Sequence, residues 1–439
     1  MFKTRHLRIA AEGTQVLAGQ GFAMVGQLVL IRTLSQQLDP TAFGTMALGL
    51  TGALLVNQTI SGGTTGAISR HFTPAREAIS IPAYLRASLR LLCRDQLWIG
   101  CGSLITALLL VLFGHFAWAA LALCAAFVAM ANSCSMAMAA VLTGGRHRLL
   151  PSAMAALDPW LKVFLLLLGW HWFRPTPIQT LLVYGLSSFL LTLAFVPLVQ
   201  RMLGLLADSS RHADDADVVQ WFCKMRRYGR PFARYGLFTW LQQASDRWAL
   251  QTFSGSLAVG QYAIIYQLGY SSLGMLSNVM NTFVAPVLYG RAGDASNPER
   301  NQSAYRILQK LTLFGLAVSI LLFGASSWLH RWIFALLVAP DYRGLSPYFP
   351  WMVLAGALFS VGQLVSLRFT SDNRTVELGG IKIVTAIVGL IFNIVGARIA
   401  GITGVLVAMN CFSVVYLCAM IRFGLFSASR HSSYLRNQH

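Results

Sequence analysis

The chain has 439 residues, of which 56% are hydrophobic and only 11% are charged. Because a soluble globular protein carries about a quarter charged residues, this composition excludes an ordinary soluble fold. The net charge of +19 does not predict nucleic-acid binding, since the basic residues stand in short clusters between apolar runs, as they do in the loops of multi-pass membrane proteins.

Long apolar runs separated by charged or turn residues predict an all-α membrane protein with about twelve transmembrane helices. The first run follows the basic N-terminus MFKTRHLR without a small-residue cleavage site, so we expect a retained helix and not a signal peptide. In chain order, the predicted spans are 14–32, 42–69, 96–114, 116–143, 151–170, 178–200, 231–253, 259–288, 308–329, 348–367, 379–397 and 401–422.

The loops between these spans alternate in charge. Most of the 34 lysines and arginines fall in segments that lie inside when the N-terminus is cytoplasmic, which predicts that both termini are cytoplasmic. An acidic patch and the basic run KMRRYGR mark the largest inner segment. The predicted organisation is an N-terminal six-helix lobe (1–203), a cytoplasmic linker (204–230) and a C-terminal six-helix lobe with a short basic cytoplasmic tail (231–439).

The two halves begin alike. Arg32 ends the first span and is followed by Ala42-Phe43-Gly44-Thr45-Met46-Ala47, whereas Arg247 lies in span seven and is followed by Ala258-Val259-Gly260-Gln261-Tyr262-Ala263. Each half therefore has an arginine, a short outer loop and an AxGxxA motif that opens the next helix. Six helices per half is an even number, so the repeats are predicted to be parallel, and the substrate path is then expected between the halves.

Several stretches resemble one known family. They are GQGFAMVGQLVLIRTLSQQLDPTAFGTMAL, RPFARYGLFTWLQQASDRWALQTFSGSLAVGQYAIIYQLGY, the residue Pro286, and LLVAPDYRGLSPYFPWMVLAGALFSVGQL. Together they are similar to bacterial polysaccharide and O-antigen flippases (Wzx-like) of the multidrug/oligosaccharidyl-lipid/polysaccharide exporter (MOP) superfamily. The similarity covers nearly the whole chain, and Asp246-Arg247 and the Val259–Ala263 run are its most family-like residues.

The resemblance implies two six-helix lobes that face each other across a cavity lined by spans one, two, seven and eight. It implies a bacterial inner-membrane flippase that carries an undecaprenyl-pyrophosphate-linked oligosaccharide, an O-antigen or exopolysaccharide repeat unit, to the periplasmic leaflet. The expected partners are this lipid-linked oligosaccharide, membrane lipids and, as a further candidate, other polysaccharide-assembly membrane proteins. No cofactor or metal is expected.

Arg247 is the first candidate for holding a pyrophosphate, because a charged residue this deep in a span needs a wet cavity or a partner and the guanidinium fork suits phosphate. Gln243 lies one turn earlier on the same face, while the neighbouring Asp246 points about 100° away around the helix. Arg32 is the equivalent residue of the first half. A structural ion pair for Arg247 and simple snorkelling for Arg32 are the open alternatives.

Three further sets of residues carry predictions. Asp158 and Lys162 lie four residues apart on span five, so they predict either a site for ion coupling or a structural pair. Tyr262, Tyr266 and Tyr270 form a stripe at helical spacing, which favours sugar contact or helix packing. Arg86, Arg90 and Arg94 repeat every four residues, a pattern typical of a topology signal or of a surface for anionic lipid.

Two rival functions are compatible with a multi-pass membrane chain. A cation-coupled multidrug exporter of the MATE type needs intramembrane carboxylates, and spans one and two show none at mid-depth. A membrane polysaccharide polymerase or ligase is expected to have a large outer loop with catalytic Arg or His, which this sequence lacks. No nucleophile motif or phosphate-binding glycine loop occurs either, so the sequence does not predict an enzyme.

Overall fold

A computed structural model describes residues 2–145, 147, 149–207, 214–292, 298–372 and 374–426 of the chain, and the backbone in these ranges is helical with no strand. The helices are α1 (Phe2–Gln37), α2 (Pro40–Val56), α3 (Gly62–Glu77), α4 (Ile81–Leu112), α5 (Phe116–Gly144), α6 (Leu149–Trp172), α7 (Pro177–Ala207), α8 (Asp215–Tyr266), α9 (Ser272–Ala292), α10 (Pro298–Leu337), α11 (Phe349–Ser371) and α12 (Thr375–Ile421). Two π-helical turns, Asn57–Ser61 and Gln267–Ser271, join α2 to α3 and α8 to α9.

The all-helical multi-pass membrane class is confirmed. Among the described residues, nine helical stretches are long and apolar enough to cross a membrane. One of them, Val376–Leu425, has 50 residues and holds the last two predicted spans. The α8–α9 region, where spans seven and eight are predicted, is not among the nine. The count of twelve spans therefore stays a prediction.

Two glycines with positive φ angles interrupt the longest helices. Gly255 in α8 has a φ of 78° and lies in the gap predicted between spans seven and eight. Gly401 in α12 has a φ of 54° and lies at the predicted junction of spans eleven and twelve. Because L-residues with a side chain rarely adopt this conformation, glycine allows the chain to turn at both places.

The chain divides into two compact units. Unit 1 comprises Met1–Thr33 and Thr45–Trp240, and unit 2 comprises Leu34–Gly44 and Leu241–His439. The divisions fall inside helices α1, α2 and α8, so each unit takes a segment from the other half of the sequence. The predicted lobe boundaries follow chain order instead and are not tested by this division.

The first half of α8 belongs to unit 1, although the sequence predicts a linker up to residue 230. Its buried face carries Val218, Trp221 and Met225, which pack in a core with residues of α3, α4 and α5. Further along, a Cβ on Gly63 would lie 2.5 Å from the carbonyl oxygen of Gly229, so the two backbones nearly touch. Within its described part, the predicted linker is therefore a packed helix, because its apolar residues recur at helical spacing between the charges.

In unit 2, the segment 34–44 contains the end of α1, the connection to α2 and the start of α2. Residues from the C-terminal half of the sequence hold it in place. The carboxylate of Asp39 caps α2 by accepting the Ala42 N–H at 3.1 Å, and Pro40 follows it, as expected at a helix start. The Tyr342 hydroxyl donates to the Leu38 carbonyl at 3.0 Å, and the Ala339 N–H donates to the Ser35 hydroxyl at 3.2 Å.

The glycines of the two AxGxxA motifs meet each other in unit 2. A Cβ on Gly44 would lie 2.8 Å from the Gly260 nitrogen, and a Cβ on Gly260 would lie 2.8 Å from the Gly44 nitrogen. Each would also collide with the carbonyl oxygen four residues before the other glycine, on Ser256 and Pro40 respectively. The AxGxxA motif that the two halves share therefore marks the place where helices α2 and α8 contact each other.

Candidate functional site around Arg247

Arg247 lies on the part of α8 that belongs to unit 2, and only 10% of its side chain is exposed. One guanidinium nitrogen, Nη1, donates to the Gln243 carbonyl oxygen at 3.0 Å. The guanidinium carbon lies 3.9 Å from the centre of the Tyr266 ring, which is a cation–π contact. The backbone of α8 and the ring of Tyr266 therefore fix the direction in which the charged group points.

Asp246 accepts hydrogen bonds from groups other than the guanidinium of Arg247. Its Oδ1 accepts the backbone N–H of Arg247 at 2.8 Å, and its Oδ2 accepts the Tyr262 hydroxyl at 2.6 Å. The guanidinium Nη1 is 3.9 Å from Oδ1, too far for a hydrogen bond. The carboxylate thus offsets the charge of Arg247 electrostatically without a hydrogen bond to the guanidinium, whose side-chain hydrogen bonds go to the Gln243 carbonyl and to Tyr266.

The tyrosine stripe predicted on span eight forms a column of aromatic rings. Tyr262 and Tyr266 have ring centres 6.0 Å apart, Tyr266 and Tyr270 stack at 4.9 Å, and Phe359 continues the column 5.5 Å from Tyr270. Tyr262 is fully buried and Tyr270 is 8% exposed, so both pack inside unit 2. Tyr266 is half-buried and supports the guanidinium.

A second contact ties the same turn of α8 to α12. Asn393, only 3% exposed, donates from its side-chain nitrogen to the Ser245 hydroxyl at 2.9 Å. Asn393 is one of the intramembrane amides that the sequence predicts to join helices, whereas nothing in the sequence singles out Ser245. Their juxtaposition depends on how α8 and α12 pack, although an amide inside an apolar helix is a general signal of a contact between helices.

Replacing Tyr262 with Phe is expected to destabilise unit 2 by about 1–3 kcal/mol, because a buried carboxylate oxygen of Asp246 then loses its donor. Tyr416→Phe is the matched control, since the Tyr416 hydroxyl is also buried but has no hydrogen-bond partner among the described residues. The thermal unfolding midpoint of the purified protein in detergent measures both. Equal midpoints for the two variants would contradict the role given to the Tyr262–Asp246 hydrogen bond.

The structure places the other predicted site residues in unit 1. Arg32 is exposed on α1, unlike its buried counterpart Arg247. Lys162 and Asp158 form an ion pair one turn apart on α6, the lysine nitrogen lies 4.7 Å over the Tyr184 ring, and the Ser187 hydroxyl donates to Asp158 at 3.1 Å. The two opposite charges of this pair neutralise each other, which suits a structural role at least as well as ion coupling.

Asp95 is a buried acid that the sequence analysis missed. It is 1% exposed and lies inside α4, whereas the predicted span starts at residue 96. Helix α4 begins at Ile81 and also carries the basic stripe of Arg86, Arg90 and Arg94, so the helix starts well before the predicted span. The sequence signal that could have identified Asp95 is a carboxylate directly followed by a long apolar run.

The chain has the fold of transporters of the MOP superfamily. No protein-family model matches the sequence, and no curated protein matches it. Among solved structures, the lipid II flippase MurJ in its inward closed conformation has a TM-score of 0.65 at 10% identity, over 96% of this chain and 87% of that one.

Two other similar structures are transporters described as MOP superfamily members. An inward-facing multidrug resistance MATE transporter has a TM-score of 0.63 at 15% identity, over 97% of this chain and 99% of that one. A transporter from Pyrococcus furiosus, described as having a binding pocket of reverse polarity, has a TM-score of 0.62 at 15% identity, over 98% of this chain and 96% of that one. At these identities the similarity shows the fold alone, so the narrower resemblance to polysaccharide flippases stays a prediction.

Proposed function

We propose that this protein flips an undecaprenyl-pyrophosphate-linked oligosaccharide from the cytoplasmic to the periplasmic leaflet of the bacterial inner membrane by alternating access. The cargo combines a pyrophosphate, a sugar chain and a polyprenyl tail. The first two are too polar to cross hydrocarbon unaided. A carrier therefore has to offer fixed positive charge to the phosphates while the tail stays in lipid.

The observation that supports this proposal is the state of Arg247. Its guanidinium is held in place by the Gln243 carbonyl and the Tyr266 ring, while Asp246 directs its oxygens to Tyr262 and to the backbone. An oriented arginine has five N–H donors, more than Gln243 and Tyr266 accept, and its planar fork can form two parallel hydrogen bonds with one phosphate group. Burial strengthens such a charge-assisted contact, because the local dielectric constant is low.

Three acidic side chains that are buried or half-buried in α4, α6 and α8 favour an anionic cargo over a cationic one. Asp95 is bonded to Arg94 and Thr64, Asp158 to Lys162 and Asp246 to Tyr262. Each carboxylate therefore already has a partner, whereas a site for a cationic drug requires an available carboxylate. The fold itself does not separate the two functions, since both MurJ and MATE structures share it.

Reconstitution of the purified full-length protein into proteoliposomes tests the proposal. A fluorescently labelled undecaprenyl-pyrophosphate oligosaccharide, placed in both leaflets, is followed by the fraction that an impermeant reductant quenches from outside. We expect the quenched fraction to rise from about half toward completion in vesicles that contain the protein. Protein-free vesicles and vesicles with a labelled phosphatidylethanolamine provide the controls.

The alternative function is a cation-coupled multidrug exporter of the MATE type, and the same vesicles distinguish it. Accumulation of a cationic dye such as ethidium is measured under an imposed proton or sodium gradient. Dye transport without flipping of the labelled lipid would replace our proposal by this alternative. The inner-membrane location with both termini cytoplasmic belongs to the proposal too, and reporter fusions at each terminus check it.

A further inference from the structure

Lys382 is a charged residue inside a membrane-spanning stretch, and it takes no part in the site around Arg247. It lies on α12 in unit 2, near the start of the helix at Thr375 and within the apolar stretch Val376–Leu425. Its side chain is half-buried, and its ammonium group forms no ion pair or hydrogen bond with the described residues. A charge in such a place is costly unless it meets water or a ligand, so it marks a candidate binding site.

The face of α12 that carries Lys382 is turned away from the exposed apolar residues of this helix. Val384, Ile391 and Val395 are 61%, 52% and 48% exposed, as expected of the lipid-facing side of a spanning helix. At about 100° per residue, Ile391 lies about 180° around the helix from Lys382. Asn393, only 3% exposed, lies about 20° from Lys382 by the same geometry. Lys382 therefore points away from the lipid-facing side of α12.

The carboxylates that are nearest to Lys382 along the chain already have arginine partners. Glu377 accepts hydrogen bonds from Arg374 on both of its oxygens, with the guanidinium Nε at 2.9 Å from Oε1. Asp372 lies 2.8 Å from the Nε of Arg368. Of these five residues, only Lys382 lacks a charged partner within the described part of the chain. The ligand that would complete its contacts is therefore an anion.

The same face of α12 leads to the helical turn that carries Arg247. The side-chain nitrogen of Asn393 donates to the Ser245 hydroxyl at 2.9 Å, and Ser245 lies on the turn of α8 just before Arg247. Lys382 and Asn393 are separated by about 16 Å along the helix axis, at 1.5 Å per residue. Lys382 and Arg247 therefore lie at different depths, and Lys382 is closer to the end that the predicted topology places on the cytoplasmic side.

We propose that Lys382 is a second phosphate-binding residue, which contacts the pyrophosphate of the lipid-linked cargo before it reaches Arg247. This role of Lys382 rests on the proposed function, since the cargo is the same. A lysine ammonium is a point charge on a flexible stem, so it can follow a moving phosphate. The guanidinium of Arg247, in contrast, is held by Gln243 and Tyr266. Two cations at successive depths divide the passage of the pyrophosphate into two shorter steps.

Amine labelling of the wild-type protein tests this contact without any variant. The purified full-length protein in phosphatidylcholine nanodiscs is treated with a water-soluble acetylating reagent, and the labelled lysines are identified by mass spectrometry. We expect Lys382 to be acetylated, because an unpaired ammonium inside a span requires water around it. An undecaprenyl-pyrophosphate oligosaccharide is expected to slow this acetylation severalfold, whereas phosphatidylglycerol at the same mole fraction leaves it unchanged. Lys310 on α10, which is exposed, is the control that the cargo should not protect.

Variants of Lys382 separate cargo binding from a structural role. In the proteoliposome flipping assay, Lys382→Met is expected to raise the cargo concentration for half-maximal rate about tenfold, because a charged contact with phosphate is lost. The maximal rate is expected to stay close to that of the wild type. Lys382→Arg keeps the positive charge and should restore the wild-type concentration dependence, and Lys310→Met is the matched control. A lysine with a structural role alone would instead lower the thermal unfolding midpoint when it is replaced.

Three results would overturn the role of Lys382. The first is the absence of acetylation at Lys382, which would mean that no water reaches it. The second is an acetylation rate that the cargo does not slow, or that phosphatidylglycerol slows equally. The third is a Lys382→Met protein whose flipping has the wild-type dependence on cargo concentration. All three leave flipping by the wild type intact, whereas wild-type vesicles that do not flip the labelled lipid would contradict the proposed function itself.

Discussion

Lipid flipping by the Arg247→Met variant is expected to be about ten- to a hundredfold slower than that of the wild type. Methionine keeps most of the side-chain volume against Tyr266 but removes the charge and the N–H donors. A hydrogen bond to a charged group contributes about 1.5–3 kcal/mol, and every 1.4 kcal/mol is about tenfold. The rate of lipid flipping in proteoliposomes, normalised to folded protein, measures the effect.

Two other arginine variants make this result specific. Arg247→Lys keeps the charge but loses the planar fork and the stacking on Tyr266, so an intermediate rate is expected. Arg32→Met changes an exposed arginine at the corresponding place of the first half and is expected to have a smaller effect than Arg247→Met. A normal rate in Arg247→Met, with the protein folded, would show that the guanidinium does not handle the cargo.

Replacing Gly260 with Leu is expected to prevent most of the protein from folding. Even the first carbon of a side chain would collide with the Pro40 carbonyl oxygen and approach the Gly44 nitrogen to 2.8 Å. These are backbone atoms fixed in helix α2, so they cannot turn aside as a side chain can. Overpacking usually costs about 1–3 kcal/mol, and we expect the upper end of that range or more here.

The yield of monodisperse protein after detergent extraction, together with the unfolding midpoint, measures the loss. Gly324→Leu in α10 is the matched control, because that glycine is exposed and an added Cβ would meet nothing within 4 Å. Gly44→Leu should be as damaging as Gly260→Leu, since the contact is reciprocal. A Gly260→Leu protein as stable as the Gly324→Leu protein would contradict the close approach of the two helices.

Much of the helical layout follows from apolar length and turn residues. The predicted spans 116–143 and 151–170 correspond to α5 (Phe116–Gly144) and α6 (Leu149–Trp172). The helices extend further than the predicted spans where charged residues lie on a helix that continues beyond the apolar run. Arg86 to Arg94 are part of α4, and KMRRYGR is part of α8, because a helix with one apolar face tolerates charge on its other faces.

The chemistry of the candidate site was predictable only in part. The cost of a charge in an apolar span is enough to single out Arg247, and helical spacing is enough to place Tyr262 and Tyr266 on one face. The bond from Tyr262 to Asp246 and the contact of Ser245 with Asn393 depend on packing between helices, which spacing along one helix does not contain.

The reciprocal approach of Gly44 and Gly260 has an evolutionary consequence. In a symmetric homodimer, one surface patch meets its own copy, so that residue i touches j while j touches i. Gly44 and Gly260 do this within one polypeptide, each facing the backbone four residues before the other. Such an isologous contact is expected when two identical half-length ancestors first formed a dimer and were later fused by gene duplication. Because each glycine contacts the backbone of the other motif, we expect substitutions in the two motifs to be correlated during evolution.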